Sequence, residues 1–392
     1  MRFIYINKGT SPTKFQEYLK KYNNKLQQQG QKYNQLLMEG LKGNGAEVIS
    51  ISSRPINRAI DKKVFFKKEK ETEGGIKYNY VSFINLPIFR NITVFFNVFG
   101  KVLFVEKKES VVLCDALNIA ASFGAWLAAK IRGLCTVGIV TDVPCHRPNN
   151  DKVPVHEKIN LWLMTKFDGY LLLTEQMNDI VNPKKRPCVV LEGHSDIGMS
   201  EVENKLDGKF DKKVCLYAGT LRRVYGIENL VRGFVKADVP NTELHIYGEG
   251  DFRRELEEIA KEHDSVKYMG VAPNSVIIEN ELKATLLVNP RPTDADYTKY
   301  SFPSKNMEYM ASGTPILTTR LPGMPKEYYD YIFLIEEENE NGICEKLKEI
   351  FSISPEELHK IGLRAKEFIM REKNNVVQAQ KLIRMVAEEM KK

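Results

Sequence analysis

Twice along this chain, short runs of apolar residues alternate with amphipathic segments, and a polar stretch separates the two series. Strands joined by helices pair in parallel and need cover on both faces, so the pattern admits little besides an open α/β sheet, built twice. The first series has strands predicted at 3–6, 46–52, 77–84, 111–115, 136–144 and 167–174, with a helix through 35–41 closed by Gly43 and another at 116–130. Residues 199–213 lack a sustained apolar stripe and read as a linker. The second series then starts, with strands at 214–219, 243–251, 266–270 and 286–290 and helices at 227–235, 252–261 and 280–285. A length of 392 residues suits two domains. No G-x-G-x-x-G occurs, so a dinucleotide site is not indicated.

Composition narrows the class. No apolar run reaches the roughly eighteen residues of a spanning helix, and the first residues, MRFIYINKG, are too short in apolar core for a secretory signal. The six cysteines lack C-x-x-C spacing and read as cytosolic thiols, and nothing resembles a metal site. Net charge is +7, with basic runs at 62–70 and 183–186. No nucleic-acid module accompanies them, so no nucleic-acid partner is expected. The most aromatic stretch is 86–108, where Phe95, Phe96 and Phe99 stand beside Arg90, Lys101, Lys107 and Lys108. That face suits packing on the sheet, or peripheral contact with an anionic membrane at the inner surface of a cell.

The densest chemistry lies in SFPSKNMEYMASGTPILTTRLPGMPKEY, residues 301–328. Pro303 fits a helix start, where Ser304, Lys305 and Asn306 would offer backbone amides and a cation to an anion. Met307, Met310 and Ala311 share one helix face, Gly313 ends the helix, and 315–319 is a buried strand. Glu308 falls one turn past the amides, where a carboxylate can accept both hydroxyls of a ribose whose diphosphate caps the helix. A plain capping sequence on an α/β domain is the blander alternative.

This stretch resembles the donor-site signature of family-4 glycosyltransferases, retaining enzymes of the GT-B fold, and in its flanks bacterial surface-polysaccharide transferases. The resemblance covers most of 214–328 and is patchier before it. It implies two Rossmann-like domains facing a cleft: an acceptor-binding domain at 1–198 and a donor-binding domain at 214–375, with the helix 376–392 packing back on the first. It implies a nucleotide sugar as co-substrate, a lipid-linked saccharide acceptor, and metal-independent transfer without a bound cofactor. Donor contacts implied are Gly219, Thr220, Arg223, Gly248, Val271, Arg291, Tyr300, Ser301, Phe302, Pro303, Ser304 and Asn306. Glu308, Lys305 and Arg222 are the implied catalytic groups, joined by Asp142 and His146 after a first-domain strand. Asp142 also suits a simple cap.

The sequence departs from the family where its diphosphate cations stand, since Thr220 and Tyr225 occupy those positions. Tyr300 likewise replaces the usual Glu eight residues before Glu308. Negative charge builds on the β-phosphate as the glycosidic bond breaks, so Arg222, Arg223, Arg291 and Lys305 are the groups that could take over. Two rivals stay open: a non-catalytic GT-B subunit of another transferase, and a nucleotide-sugar epimerase.

Overall fold

The computed structural model describes residues 1–23, 25–107, 109–143 and 154–390. It divides into two compact units, Met1–His194 with Asn375–Lys392, and Ser195–Asn374.

The first unit runs β1 (Arg2–Asn7), α1 (Pro12–Lys21), α2 (Gln28–Gly43), β2 (Glu47–Ser52), β3 (Phe65–Phe66), β4 (Glu69–Glu73), β5 (Ile76–Tyr80), β6 (Phe83–Ile84) and α3 (Phe89–Leu103). It continues through β7 (Ser110–Asp115), α4 (Ile119–Arg132), β8 (Cys135–Val140), α5 (Val155–Met164), β9 (Gly169–Leu172), α6 (Met177–Val181) and β10 (Cys188–Val190). Eight strands pair in the order β10-β9-β8-β7-β1-β2-β5-β4. All neighbours are parallel except β4, which closes the edge antiparallel to β5. Five consecutive buried residues in β1 follow from its central place, with helices on both faces. The strand expected over 77–84 divides in two: β5 stays in the sheet, while β6 turns away to pair antiparallel with β3.

The aromatic stretch proves to be α3, and its faces have separate fates. Val94, Val98 and Val102 are buried, and Phe95 packs on Phe123 of α4 with ring centroids 5.5 Å apart. Phe96, in contrast, is 64% exposed, and so are Ile88, Phe89 and Ile92 in large part.

The second unit runs β11 (Lys213–Ala218), α7 (Ile227–Ala237), β12 (Thr242–Tyr247), α8 (Arg253–Glu262), β13 (Val266–Gly270), α9 (Asn274–Lys283), β14 (Leu286–Asn289), α10 (Ser304–Ser312), β15 (Ile316–Thr319), β16 (Phe333–Ile335), α11 (Glu340–Ser352) and α12 (Pro355–Glu372). Its six strands are all parallel, in the order β13-β12-β11-β14-β15-β16. The amphipathic helix α7 buries Ile227, Leu230, Val231 and Phe234 in a core shared with Ile343 and Leu347 of α11. The helix expected at 280–285 begins earlier, at Asn274.

The segment read as a linker is part of this unit. Asn204 donates to the Ser312 carbonyl (2.9 Å) and to Thr314 Oγ1 (3.0 Å). The Lys209 ammonium donates to the carbonyls of Leu282 and Ala284, both at 2.8 Å. Burial pulls this lysine down to about 7. Polar composition suggested solvent, but these polar groups are buried with partners, which composition does not reveal.

The final helix, α13 (Asn375–Met385), lies on the first unit. Asn375 Nδ2 donates to the Leu36 carbonyl of α2 (3.2 Å), and Ala379, Leu382 and Met385 join that unit's core. His194 is packed too, its ring 4.8 Å from that of Tyr33, and burial pushes its imidazole down to about 3.

Candidate active site

In the second unit, the carboxyl ends of β11 and β14 and the start of α10 meet. A buried network fixes that junction: Asn289 Nδ2 donates to Asn306 Oδ1 (2.7 Å), and the Thr318 hydroxyl donates to the Asn289 carbonyl (2.9 Å). The Tyr309 hydroxyl of α10 accepts from the Ala218 N–H at the end of β11 (3.0 Å). Burial raises that phenol well above its usual range, so it stays a neutral hydrogen-bonding group. Asn306 is thus a fastener of α10, and its amide oxygen is taken by Asn289. Phe302 is likewise inside, its ring 5.2 Å from Tyr328.

Loops close over this edge because glycine lets them. Gly248 has φ +138°, and a β-carbon there would lie 1.7 Å from the Gly219 carbonyl oxygen. Gly226 has φ +77°, with the Pro290 carbonyl 2.1 Å from where its β-carbon would be. No other residue fits either place without moving backbone.

Pro303 is the N-cap of α10, and no side chain caps the helix. Lys305 sits in its first turn, with Cε 3.2 Å from the point where a Gly219 β-carbon would stand. Tyr217 meets the same point, and its hydroxyl donates to the Thr220 carbonyl (2.9 Å). The half-buried Glu308 lies four positions after Ser304, on the same helix.

The cations at this edge divide into two groups. Arg223 is ion-paired with both Glu228 and Glu255, and Arg232 bridges the same two carboxylates from the other side. That network occupies it. Arg222 instead faces the Tyr225 ring, 5.6 Å from its centroid. Arg291 lies between two rings, 5.2 Å from Tyr225 and 5.0 Å from Tyr297. Tyr225, standing where a cation was expected, is therefore a platform on which two other cations rest. The loop after β14 is held by Thr293, whose N–H and hydroxyl both donate to Glu338 (2.8 and 2.7 Å).

Two polar atoms here, Arg291 Nε and Ser301 Oγ, are buried without a hydrogen-bond partner among the described residues. Such atoms are uncommon, and a polar ligand at this edge is one way to satisfy them. The sequence did not single out Tyr217, Tyr225 or Tyr297 as organisers of the site. An arginine between tyrosines leaves no spacing signature when the rings come from separate loops.

Val271 is 74% exposed just past β13, where the Gly270 carbonyl accepts from the Gly248 N–H (2.8 Å). Thr220 is exposed, and Tyr300 and Ser304 are half-buried beside the loop and helix start. In the first unit, Asp142 is exposed after β8, and its carboxylate accepts from the Val143 N–H (2.8 Å). That bond reaches only the next residue of its own loop. His146 and Lys108 lie outside the described residues.

Residues 200–368 match the family model described as glycosyl transferases group 1. No curated protein matches the chain by sequence. Among solved structures, a glycosyltransferase from Rickettsia africae superimposes with a TM-score of 0.68 at 14% identity, covering 100% of this chain and 99% of that one. Sucrose-phosphate synthase from Thermosynechococcus elongatus gives 0.65 at 14% identity, with 99% of each chain covered. The Anabaena protein HepE in complex with UDP gives 0.64 at 12% identity, over 99% of this chain and 100% of its own. The fold is GT-B, and the stretch that matches the glycosyl transferases group 1 model lies within its second unit.

Proposed function

We propose that this protein is a retaining glycosyltransferase that moves a hexose from a UDP-sugar to a lipid-linked or growing bacterial surface polysaccharide. The observation that carries the reading is the set of Lys305, Arg222 and Arg291 around one sheet edge, with Glu308 on the helix that opens there. The diphosphate would lie at the uncapped start of α10, where amides, helix dipole and cations all favour negative charge. Glu308 would accept the ribose hydroxyls. As the sugar leaves, charge grows on the β-phosphate, and the cations already in place stabilise it. The leaving phosphate itself would take the acceptor's proton, and Lys305, Arg222 and Arg291 would balance the diphosphate charge in place of a metal. The UDP found with the Anabaena protein supports the choice of nucleotide.

The first unit would receive the acceptor, and its exposed stripe favours contact with an anionic membrane. Ile88 is 74% exposed at the head of α3, with Ile92 and Phe96 following at helical spacing. Lys101, on the same helix, is lowered first by burial and then by Lys70 and Lys68 nearby, so positive charge collects near its last turn. Among the described residues no helix is long and apolar enough to cross a membrane.

Thermal unfolding with UDP-, GDP- and ADP-sugars tests the donor, because a ligand that binds only the folded state raises the midpoint. A rise with UDP-sugars, together with slow release of free sugar, is expected. Binding without any release would favour the reading as a non-catalytic subunit. Sedimentation with anionic vesicles at low but not high salt tests the membrane contact.

A further inference from the structure

The first unit has its own basic corner, also at the carboxyl edge of its sheet, which the donor reading leaves unused. Arg90, in the first turn of α3, donates through Nη2 to the carbonyls of Ser53 (3.3 Å) and Arg54 (3.1 Å), and lies 4.9 Å over the Phe83 ring. Its Nε is buried without a partner among the described residues. Lys8 directly follows β1. Burial lowers its ammonium, Asp115 at the end of β7 pulls it back up, and Arg90 lowers it again. The carbonyl of Asn7, the residue before Lys8, accepts from the Ser53 N–H (3.2 Å), and Arg90 holds the Ser53 carbonyl, so the backbone brings Lys8 to the corner that Arg90 closes. Asn118, ahead of α4, donates to Ser53 Oγ (3.1 Å), which brings a neutral donor to the same corner.

The backbone is strained on both sides of Arg90. Arg54, whose carbonyl Arg90 holds, has φ +56°, and Ile88 has φ +66°. Positive φ is uncommon for any side chain and an outlier for a β-branched one, and such strain persists where the surroundings over-determine it. Packing alone gives no reason to hold two cations in a half-buried corner where one carboxylate, Asp115, bears on Lys8 and burial alone acts on Arg90. Desolvated like charges are costly unless something opposite fills the gap.

We propose that Lys8 and Arg90 form a phosphate-recognition site in the first unit, which takes the phosphate or diphosphate of the acceptor. This rests on the glycosyltransferase reading and narrows its acceptor to a phosphorylated one. An ammonium supplies a point charge and a guanidinium supplies directed donors, the usual pair for phosphate oxygens. The phosphate belongs either to a lipid diphosphate or to a soluble sugar phosphate. The exposed Ile88 and Phe89, next to Arg90 in sequence, favour the lipid.

Calorimetric titration of the full chain with inorganic pyrophosphate, in the presence of saturating UDP, tests the site. The parent should bind pyrophosphate with UDP already present. Lys8→Met and Arg90→Gln should each weaken that binding roughly tenfold or more. Lys8→Arg should retain it. UDP affinity should be unchanged in all three variants, which also reports that they are folded; Arg90→Lys, with an intermediate loss, covers a failure of Arg90→Gln to fold. Failure of UDP to bind the parent would count against the donor reading alone. Parent-like pyrophosphate binding by Lys8→Met and Arg90→Gln, or none by the parent, overturns the phosphate site. Among the arms that support it, tighter binding of geranyl diphosphate assigns the lipid source, and tighter binding of glucose 6-phosphate the soluble one.

Discussion

The two sheets end in the same way and equip their ends differently. At the carboxyl edge of the second unit, Arg222 and Arg291 rest on tyrosine rings, and Lys305 opens an uncapped helix. At that edge of the first unit, Arg90 is held by two carbonyls from a strained turn, and Lys8 stands near a single carboxylate. The first arrangement leaves Arg222 exposed, and the buried Nε of Arg291 has no protein partner among the described residues, which suits a ligand that comes and goes. The second withdraws them from water, so an occupant must replace the solvation they have lost. One edge suits charge that develops during a reaction, the other suits charge the ligand already carries.

The largest effect that could break this contrast is at Glu308. Glu308→Gln should lower kcat/KM by roughly 10²-fold, about 2.7 kcal/mol, with the fold intact. A variant with full donor affinity and turnover would remove the second edge from the chemistry. Next, Lys305→Ala and Arg291→Ala should each weaken UDP binding by about 1.5–3 kcal/mol in calorimetry, the scale of a charged hydrogen bond. Asn306→Leu should act on stability instead, costing about 1–3 kcal/mol in denaturant unfolding because Asn289 loses its acceptor in a buried place. Smallest is Arg223→Ala. Its ion pairs with Glu228 and Glu255 are exposed, so about 0.2–1 kcal/mol of stability and no change in UDP affinity are expected. A loss of UDP binding there equal to that of Arg291→Ala would erase the division between engaged and available cations.

Much of the second edge was legible because its parts are neighbours in sequence. Pro303, Ser304, Lys305 and Glu308 fall within two turns, where spacing alone fixes what shares a helix end. Arg291 was nameable from its place after a strand, but its tyrosine clamp was not, since Tyr225 and Tyr297 come from different loops. Lys8, Arg90 and Asp115 are brought together by parallel crossovers, and each reads alone as an ordinary surface residue. Among larger elements, the alternation foretold both sheets. The stretch at 199–213 misled because Asn204 and Lys209 find acceptors that only the folded second unit supplies.

The ends of the second unit touch. Ser195 and Asn374 form a β-bridge, and the Ser195 N–H donates to the Lys373 carbonyl (3.1 Å). The chain thus leaves the first unit and returns to it at adjoining points, in the manner of a domain inserted into a host. Residues 195–374 make one continuous cassette that a gene fragment can encode, with both termini on the same spot. The host cannot be trimmed so simply, because ending the chain before α13 would strip Ala379, Leu382 and Met385 from its core. A shortened message would cost the protein its first half before its second.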